Sequence, residues 1–131
     1  MQKFKYLLAT GCGWLVFALA VSAVAAEPIS YNRDVRPILS DSCFHCHGPD
    51  QKTRKGKFRL DVREDAVAKG AIVPGQPTES KIITRIFTRN PDDLMPPAEA
   101  HKTLTLAQKE LLRRWIASGA PYEKHWAYVP P

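Results

Sequence analysis

Cysteine is scarce in this sequence, and its distribution excludes a common class of exported protein. The chain has 131 residues and three cysteines. Cys12 lies in an apolar N-terminal segment, whereas Cys43 and Cys46 are three positions apart. One closely spaced pair of thiols is too little to staple a small secreted fold with disulfides. The pair therefore points to a different chemistry.

A strong excess of charge is also missing. The formal net charge is +6 at pH 7, and it falls to +4 if residues 1–26 are removed, because that segment holds two lysines and no acid. A balance this small does not require nucleic acid or a membrane surface as a partner. We therefore expect no nucleic-acid partner, and a membrane contact only if the N-terminal segment stays attached.

The N-terminal segment has the order of a secretory signal. Lys3 and Lys5 precede an apolar run over residues 7–26, and small residues favour cleavage after Ala25 or Ala26. An uncleaved anchor at 7–26 is the alternative, because about 20 apolar residues span a bilayer. We expect an exported, periplasmic location and three parts: signal or anchor 1–26, a domain 27–120, and a tail or linker 121–131.

The remaining sequence lacks strand alternation and internal repeats, and it indicates an all-α domain. Apolar periodicity predicts helices at about 32–42, 62–69, 78–88 and 105–118. In the last two helices, the apolar stripes consist of Ile82, Ile83, Ile86, Phe87, Leu111, Leu112, Trp115 and Ile116. So few short helices make a poor core, and a large apolar group in the middle would help.

Polar residues at the ends of these helices predict how they begin and stop. Asn32 is the expected N-cap of the first helix, and Pro37 predicts a kink or a tight first turn there. Asp61 with Glu64, and Thr105 with Gln108, have the spacing of capping boxes. Glycines at 70 and 119 are expected stops.

The sequence Cys43-Phe44-His45-Cys46-His47 is a CxxCH motif, the attachment signature of c-type haem. Residues three apart share one face of a helical turn, so both sulfurs can reach one edge of a porphyrin. His47 then supplies its imidazole as the proximal iron ligand. We expect one covalent haem c.

Methionine is equally scarce, and Met95 is the one that remains after the signal. It stands before Pro96 and Pro97, which restrict its loop. A thioether is a soft, neutral ligand that raises the haem potential, so Met95 is the expected distal ligand. A core role for Met95, and His101 as the distal ligand, are the alternatives.

Other chemistries remain open at this motif. A zinc site could use the CxxC pair with His101 or His125, although structural zinc sites usually show a second ligand cluster. A CxxC redox pair would be expected near a βαβ pattern, which is absent. A haem catalyst or gas sensor would need Met95 to be off the iron.

A basic run between residues 52 and 59 contains Lys52, Arg54, Lys55, Lys57 and Arg59. A solvated loop is one interpretation. Alternatively, Arg54 or Arg59 pairs with a haem propionate, and the other charges dock an acidic redox partner.

These motifs together resemble the planctomycete-type cytochrome c domain. The similar stretches are residues 31–39, CFHCHGPD at 43–50, Arg59-Leu60-Asp61, the turn at 73–77, Met95-Pro96-Pro97, and 115–121. The resemblance implies a small helical cytochrome c-like fold around one haem, with His47 proximal and Met95 distal. It implies an electron carrier, not an enzyme.

In that family the domain commonly opens a larger exported protein. The segment from Lys124 to Pro131 usually leads into the further domains. This chain is accordingly either a separate carrier or the front module of a longer product.

Overall fold

The computed structural model describes residues 27–124, which form an all-α domain. The signal or anchor predicted at 1–26, and His125 of the zinc alternative, lie outside the described residues. The described chain contains five α-helices and no β-strand, which confirms the predicted class. They are α1 (Arg36–Ser42), α2 (Phe44–His47), α3 (Arg63–Ala68), α4 (Lys81–Phe87) and α5 (Leu106–Ala117). In this part of the chain, no helix has the length and apolarity needed to cross a membrane.

The first helical segment changes its winding at Pro37. A π-helix over Tyr31–Val35 precedes α1, and Ser30 is its N-cap, with its hydroxyl accepting from Arg33 N. The prediction of Asn32 as the cap is therefore wrong by two positions. Pro37 lies in the first turn of α1, where its missing N–H leaves no bond unmade. The irregularity expected at this proline is thus a π-to-α transition.

The beginning of α3 differs from the sequence prediction. Its N-cap is Val62, which makes no side-chain capping bond. The predicted capping box of Asp61 and Glu64 is wrong, because the Asp61 carboxylate is paired with the Arg59 guanidinium. The end agrees with prediction, since Gly70 follows α3 with φ 64°, a conformation that favours glycine.

The predicted capping box of α5 is confirmed in full. Thr105 Oγ1 accepts from Gln108 N at 3.2 Å, and Gln108 Oε1 accepts from Thr105 N at 2.9 Å. At the other end, Gly119 has φ 99° and ends the helix. Two short 3₁₀ turns, Pro77–Glu79 and Ala98–Ala100, lie before α4 and α5 respectively.

The core lies where α4, α5 and the N-terminal π-helix meet. Trp115 is fully buried, and its ring centroid is 5.8 Å from that of Tyr31. The stripe of α4 contributes three buried isoleucines, whereas Phe87 is 37% exposed. Most of each predicted apolar stripe therefore packs inward. Beyond the helices, the core includes Leu60, Ala71, Ile72 and Leu104.

Residues of the predicted tail pack on this core. Tyr122 stacks on Tyr31 with centroids 4.5 Å apart, and its hydroxyl donates to Leu60 O at 2.8 Å. The Glu123 carboxylate accepts from Tyr31 N at 2.8 Å and from Asn32 N at 3.3 Å. These contacts join the two ends of the described chain.

Candidate cofactor site

A large cavity brings together the two motifs that the sequence singled out. Its volume is about 870 Å³, near the upper end of the ~300–1,000 Å³ typical of cofactor and small-molecule sites. Cys43, Cys46 and His47 line it, and so does Met95. Residues far apart in sequence therefore share one concave site.

Helix α2 presents the two thiols from a single turn. Cys46 N and His47 N both donate to Cys43 O, at 3.1 and 2.8 Å. Both thiols are free, and each residue is partly buried. Burial raises the pKa of the Cys43 thiol to about 12, and the nearby Asp41 carboxylate adds to the increase. The turn thus places both sulfurs in the lining of the cavity.

The His47 imidazole is held between aromatic and backbone groups. Its ring stacks on Phe58, with centroids 4.4 Å apart and planes 25° from parallel. Nδ1 is buried and has no hydrogen-bond partner within the described residues. Burial lowers the pKa of His47, and the Phe58 backbone partly opposes this effect. A neutral imidazole is the form of histidine that ligates iron.

The segment that follows the motif is fastened to it by backbone hydrogen bonds. Lys55 N and Gly56 N donate to Cys46 O at 3.2 and 3.0 Å, and Leu60 N donates to His47 O at 2.7 Å. A Cβ placed on Gly56 would lie 2.0 Å from His47 Nδ1. Only a glycine leaves room for the imidazole where it now lies.

Met95 reaches the same cavity from the loop after α4. Its N–H donates to Arg85 O at 3.1 Å, and Pro96 and Pro97 also line the cavity. This placement suits the ligand role predicted for Met95.

Arg54 and Arg59 are not among the residues that line the cavity, and a propionate contact of either one stays a prediction. The Arg54 guanidinium donates to Gly48 O at 3.0 Å and to Pro49 O at 2.9 Å. The Arg59 guanidinium is paired with Asp61. Both side chains therefore brace the loops around the motif.

Four other cations line the cavity: Lys55, Lys81, Arg85 and Lys102. Lys55 belongs to the basic run noted in the sequence, whereas the other three were missed. Lys102 pairs with Asp41 at 2.6 Å, and Arg85 pairs with Asp93 at 2.6 Å. The spacing of Lys81 and Arg85 on α4, one turn apart and each followed by a buried isoleucine, was the available signal. This spacing indicates that Lys81 and Arg85 share one face of the helix, but it does not indicate that this face lines a cavity.

The alternative ligand His101 does not line the cavity either. It is exposed and has φ 50°, at the end of the turn Ala98–Ala100. Over residues 27–124, no three His, Cys, Asp or Glu side chains are grouped to hold a metal ion.

The site fits a haem attached through its edge. It provides two free thiols on one turn, a half-buried imidazole whose Nδ1 makes no hydrogen bond within the described residues, and a cavity of cofactor size whose surface is mostly apolar. The close approach of Gly56 to His47 keeps the ring in one place. Such a donor set is that of a c-type haem site.

Comparison with known proteins agrees with this reading. Residues 43–99 match the family model described as planctomycete cytochrome C. The match begins at Cys43 and includes Met95. Searches of curated proteins and of solved structures found no match.

Proposed function

Because residues 43–99 identify this chain as a planctomycete cytochrome c, we propose that it is an exported electron carrier with one haem ligated by His47 and Met95. Membership of the family implies covalently bound haem c and an electron-carrier role. The single observation that supports the finer proposal is the cavity that His47 and Met95 line together.

In this proposal, two residues attach the haem covalently and two others ligate its iron. Cys43 and Cys46 form the thioether bonds, which make the attachment permanent. His47 and Met95 bind the iron, and the neutral thioether of Met95 favours the reduced state and raises the potential. The bound haem supplies one-electron transfer between ferric and ferrous iron. Apolar cavity walls limit the access of water, which also raises the potential.

Covalent attachment is tested by production in a host that matures c-type cytochromes. We expect one haem per chain that stays with the polypeptide after denaturation, and a c-type spectrum in alkaline pyridine. A Cys43→Ala, Cys46→Ala double variant should lose the attached haem. Colourless wild-type protein with two reactive thiols would refute the proposal, and stoichiometric zinc in its place would favour the zinc alternative.

The distal ligand is tested by a matched pair of variants. Met95→Ala should remove the weak far-red sulfur-to-iron band and lower the potential, because the iron loses its soft ligand. His101→Ala is the control and should change neither, since His101 is exposed and outside the cavity lining. A wild-type spectrum without this band, together with a spectrum and potential that change in His101→Ala and not in Met95→Ala, would reverse the assignment.

Carbon monoxide separates the carrier from a sensor or catalyst. The reduced wild-type protein should bind carbon monoxide slowly and incompletely if Met95 occupies the iron, and Met95→Ala should bind it rapidly. Rapid and complete binding by the wild type would favour the sensor or catalyst.

We further propose that the redox partner docks through an acidic surface. The basis is the exposed lysines beside the cavity: Lys52, Lys55 and Lys57, none of which forms a salt bridge within the described residues. Lys55→Glu should slow oxidation by anionic ferricyanide and reduce its salt dependence. Arg114→Glu, on the exposed side of α5 and away from the cavity lining, is the control of equal charge change.

Export is the remaining part of the proposal. It is supported by the order of charge, apolar run and small residues in the segment 1–26. The intact mass of the haem-loaded protein from a periplasmic extract should correspond to a chain that starts at Ala26 or Glu27. Full-length protein confined to the membrane fraction would instead favour an anchor.

A further inference from the structure

The loop that carries Met95 is tied to α4 through one residue, Arg85. The Arg85 carbonyl accepts from Met95 N at 3.1 Å. The Arg85 guanidinium donates to both Asp93 O, at 3.2 Å, and Asp93 Oδ1, at 2.6 Å. Main-chain and side-chain atoms of the same residue therefore hold the loop at two points, two residues apart.

Neighbouring residues hold both partners of the Arg85–Asp93 ion pair in place. On the helix side, Ile82 and Ile86 flank Arg85 on α4, and their exposed fractions are 9% and 1%. On the loop side, Asn90 Nδ2 donates to Asp93 Oδ2 at 2.8 Å, and Asp93 N donates to Asn90 O at 3.2 Å. The ion pair thus joins an anchored helix to a preformed turn.

We propose that Arg85 is a positioning residue that keeps the Met95 loop closed, with Asp93 as its partner. The inference rests on the proposed ligand role of Met95. The loop is held to α4 by the backbone bond from Met95 N to Arg85 O and by the ion pair between Arg85 and Asp93. The Arg85 and Asp93 side chains are 46% and 49% exposed, so the pair adds little to overall stability.

A weakened clamp raises the fraction of molecules in which the loop is open and the iron can accept an external ligand. Apparent affinity for such a ligand is proportional to that fraction. Loss of one exposed ion pair should therefore tighten imidazole binding to the ferric protein by about 1.4- to 5-fold. The effect should shrink in high salt, because exposed pairs are screened.

The test is an imidazole titration of haem-loaded ferric protein, followed through the sulfur-to-iron band. Arg85→Gln and Asp93→Asn should each bind imidazole more tightly than wild type, and the double variant should add little beyond either. Arg113→Gln is the matched control. Its guanidinium pairs with Glu110 at 2.7 Å, at 49% and 39% exposure, away from the Met95 loop.

The outcomes separate this inference from the function on which it rests. A wild-type spectrum without the sulfur band would overturn the Met95 assignment and the clamp with it. A normal band, with imidazole affinities of the Arg85 and Asp93 variants equal to that of Arg113→Gln, would overturn the clamp alone. If Arg85→Gln does not fold, Asp93→Asn is compared with wild type and with Arg113→Gln instead, because it leaves the bond between Arg85 O and Met95 N in place.

Discussion

At the scale of single residues, the closest fit in the molecule is between Gly56 and His47. A Cβ at position 56 would lie 2.0 Å from Nδ1 and 2.1 Å from Cε1 of the imidazole. Because Gly56 is also bonded to Cys46 O, its backbone cannot retreat without loosening the haem-binding turn. The imidazole would have to move.

We expect Gly56→Ala to disturb the iron ligand. Overpacking of this kind costs roughly 1–3 kcal/mol, and the displaced ring should also shift the visible spectrum and the potential. Spectroelectrochemistry of haem-loaded protein measures both. Gly75→Ala is the control: position 75 has φ 79° and no neighbour within 4 Å, so it should cost about 1 kcal/mol of stability through backbone strain alone. A normal spectrum in Gly56→Ala would contradict the steric argument.

Residues with one dominant chemistry were predictable, and residues with several possible partners were not. The CxxCH motif and Met95 line one cavity, as their chemistry indicated. Arg54 and Arg59 carry the charge that a propionate needs, but the sequence did not predict their protein partners: two carbonyls for Arg54, and Asp61 for Arg59. A sequence shows that an arginine carries a charge, but it does not show which of several nearby acceptors will bind its guanidinium group.

At the scale of helices, the N-terminus of α5 depends on its capping box. Thr105→Ala removes the acceptor for Gln108 N and should lower the free energy of unfolding by about 1 kcal/mol. Thr103→Ala provides the control, because Thr103 is exposed and lies outside the helix. Urea unfolding of the two haem-loaded variants makes the comparison, and equal losses would argue against a role for the cap.

The two predicted capping boxes had different outcomes for a local reason. Among the described residues, the Thr105 hydroxyl has no competing partner, so it remains available to the helix. Asp61 has a cation two residues earlier, and the charge-assisted pair with Arg59 is stronger than a capping bond. Ser30, and not the predicted Asn32, caps the first helical segment because it lies in the extended conformation that an N-cap requires. Helix existence follows from periodicity, whereas the exact cap follows from such competition.

At the scale of the whole molecule, Glu123 closes the domain by capping its first helical turn. Three groups donate to its carboxylate: Ser30 Oγ, Tyr31 N and Asn32 N. These bonds favour the ionised form, so they lower the pKa of Glu123 in the folded state. Its contribution to stability is therefore fully present above its ordinary pKa of 4.5 and is lost as the pH falls through the lower, folded-state pKa.

Glu123→Gln should make the protein less stable near neutral pH, by less than about 1 kcal/mol because the carboxylate is exposed. The difference from wild type should disappear at low pH, where both side chains are uncharged. Glu110→Gln is the control, because it removes a partly exposed carboxylate whose partner within residues 27–124 is Arg113. Urea midpoints of haem-loaded protein at several pH values test this, and a constant difference would exclude the titration of Glu123 as its cause.

The bond between Asn32 Nδ2 and Lys124 O, at 2.8 Å, places both ends of the described chain side by side. Such proximity makes the topology suitable for circular permutation. A short Gly/Ser linker between residues 124 and 27 would add little loop entropy, and new termini could be opened at the exposed Gly75–Gln76 turn. In the permuted protein, residues 76–124 would come first and residues 27–75, with the CxxCH motif, would come last, and the core would stay unchanged.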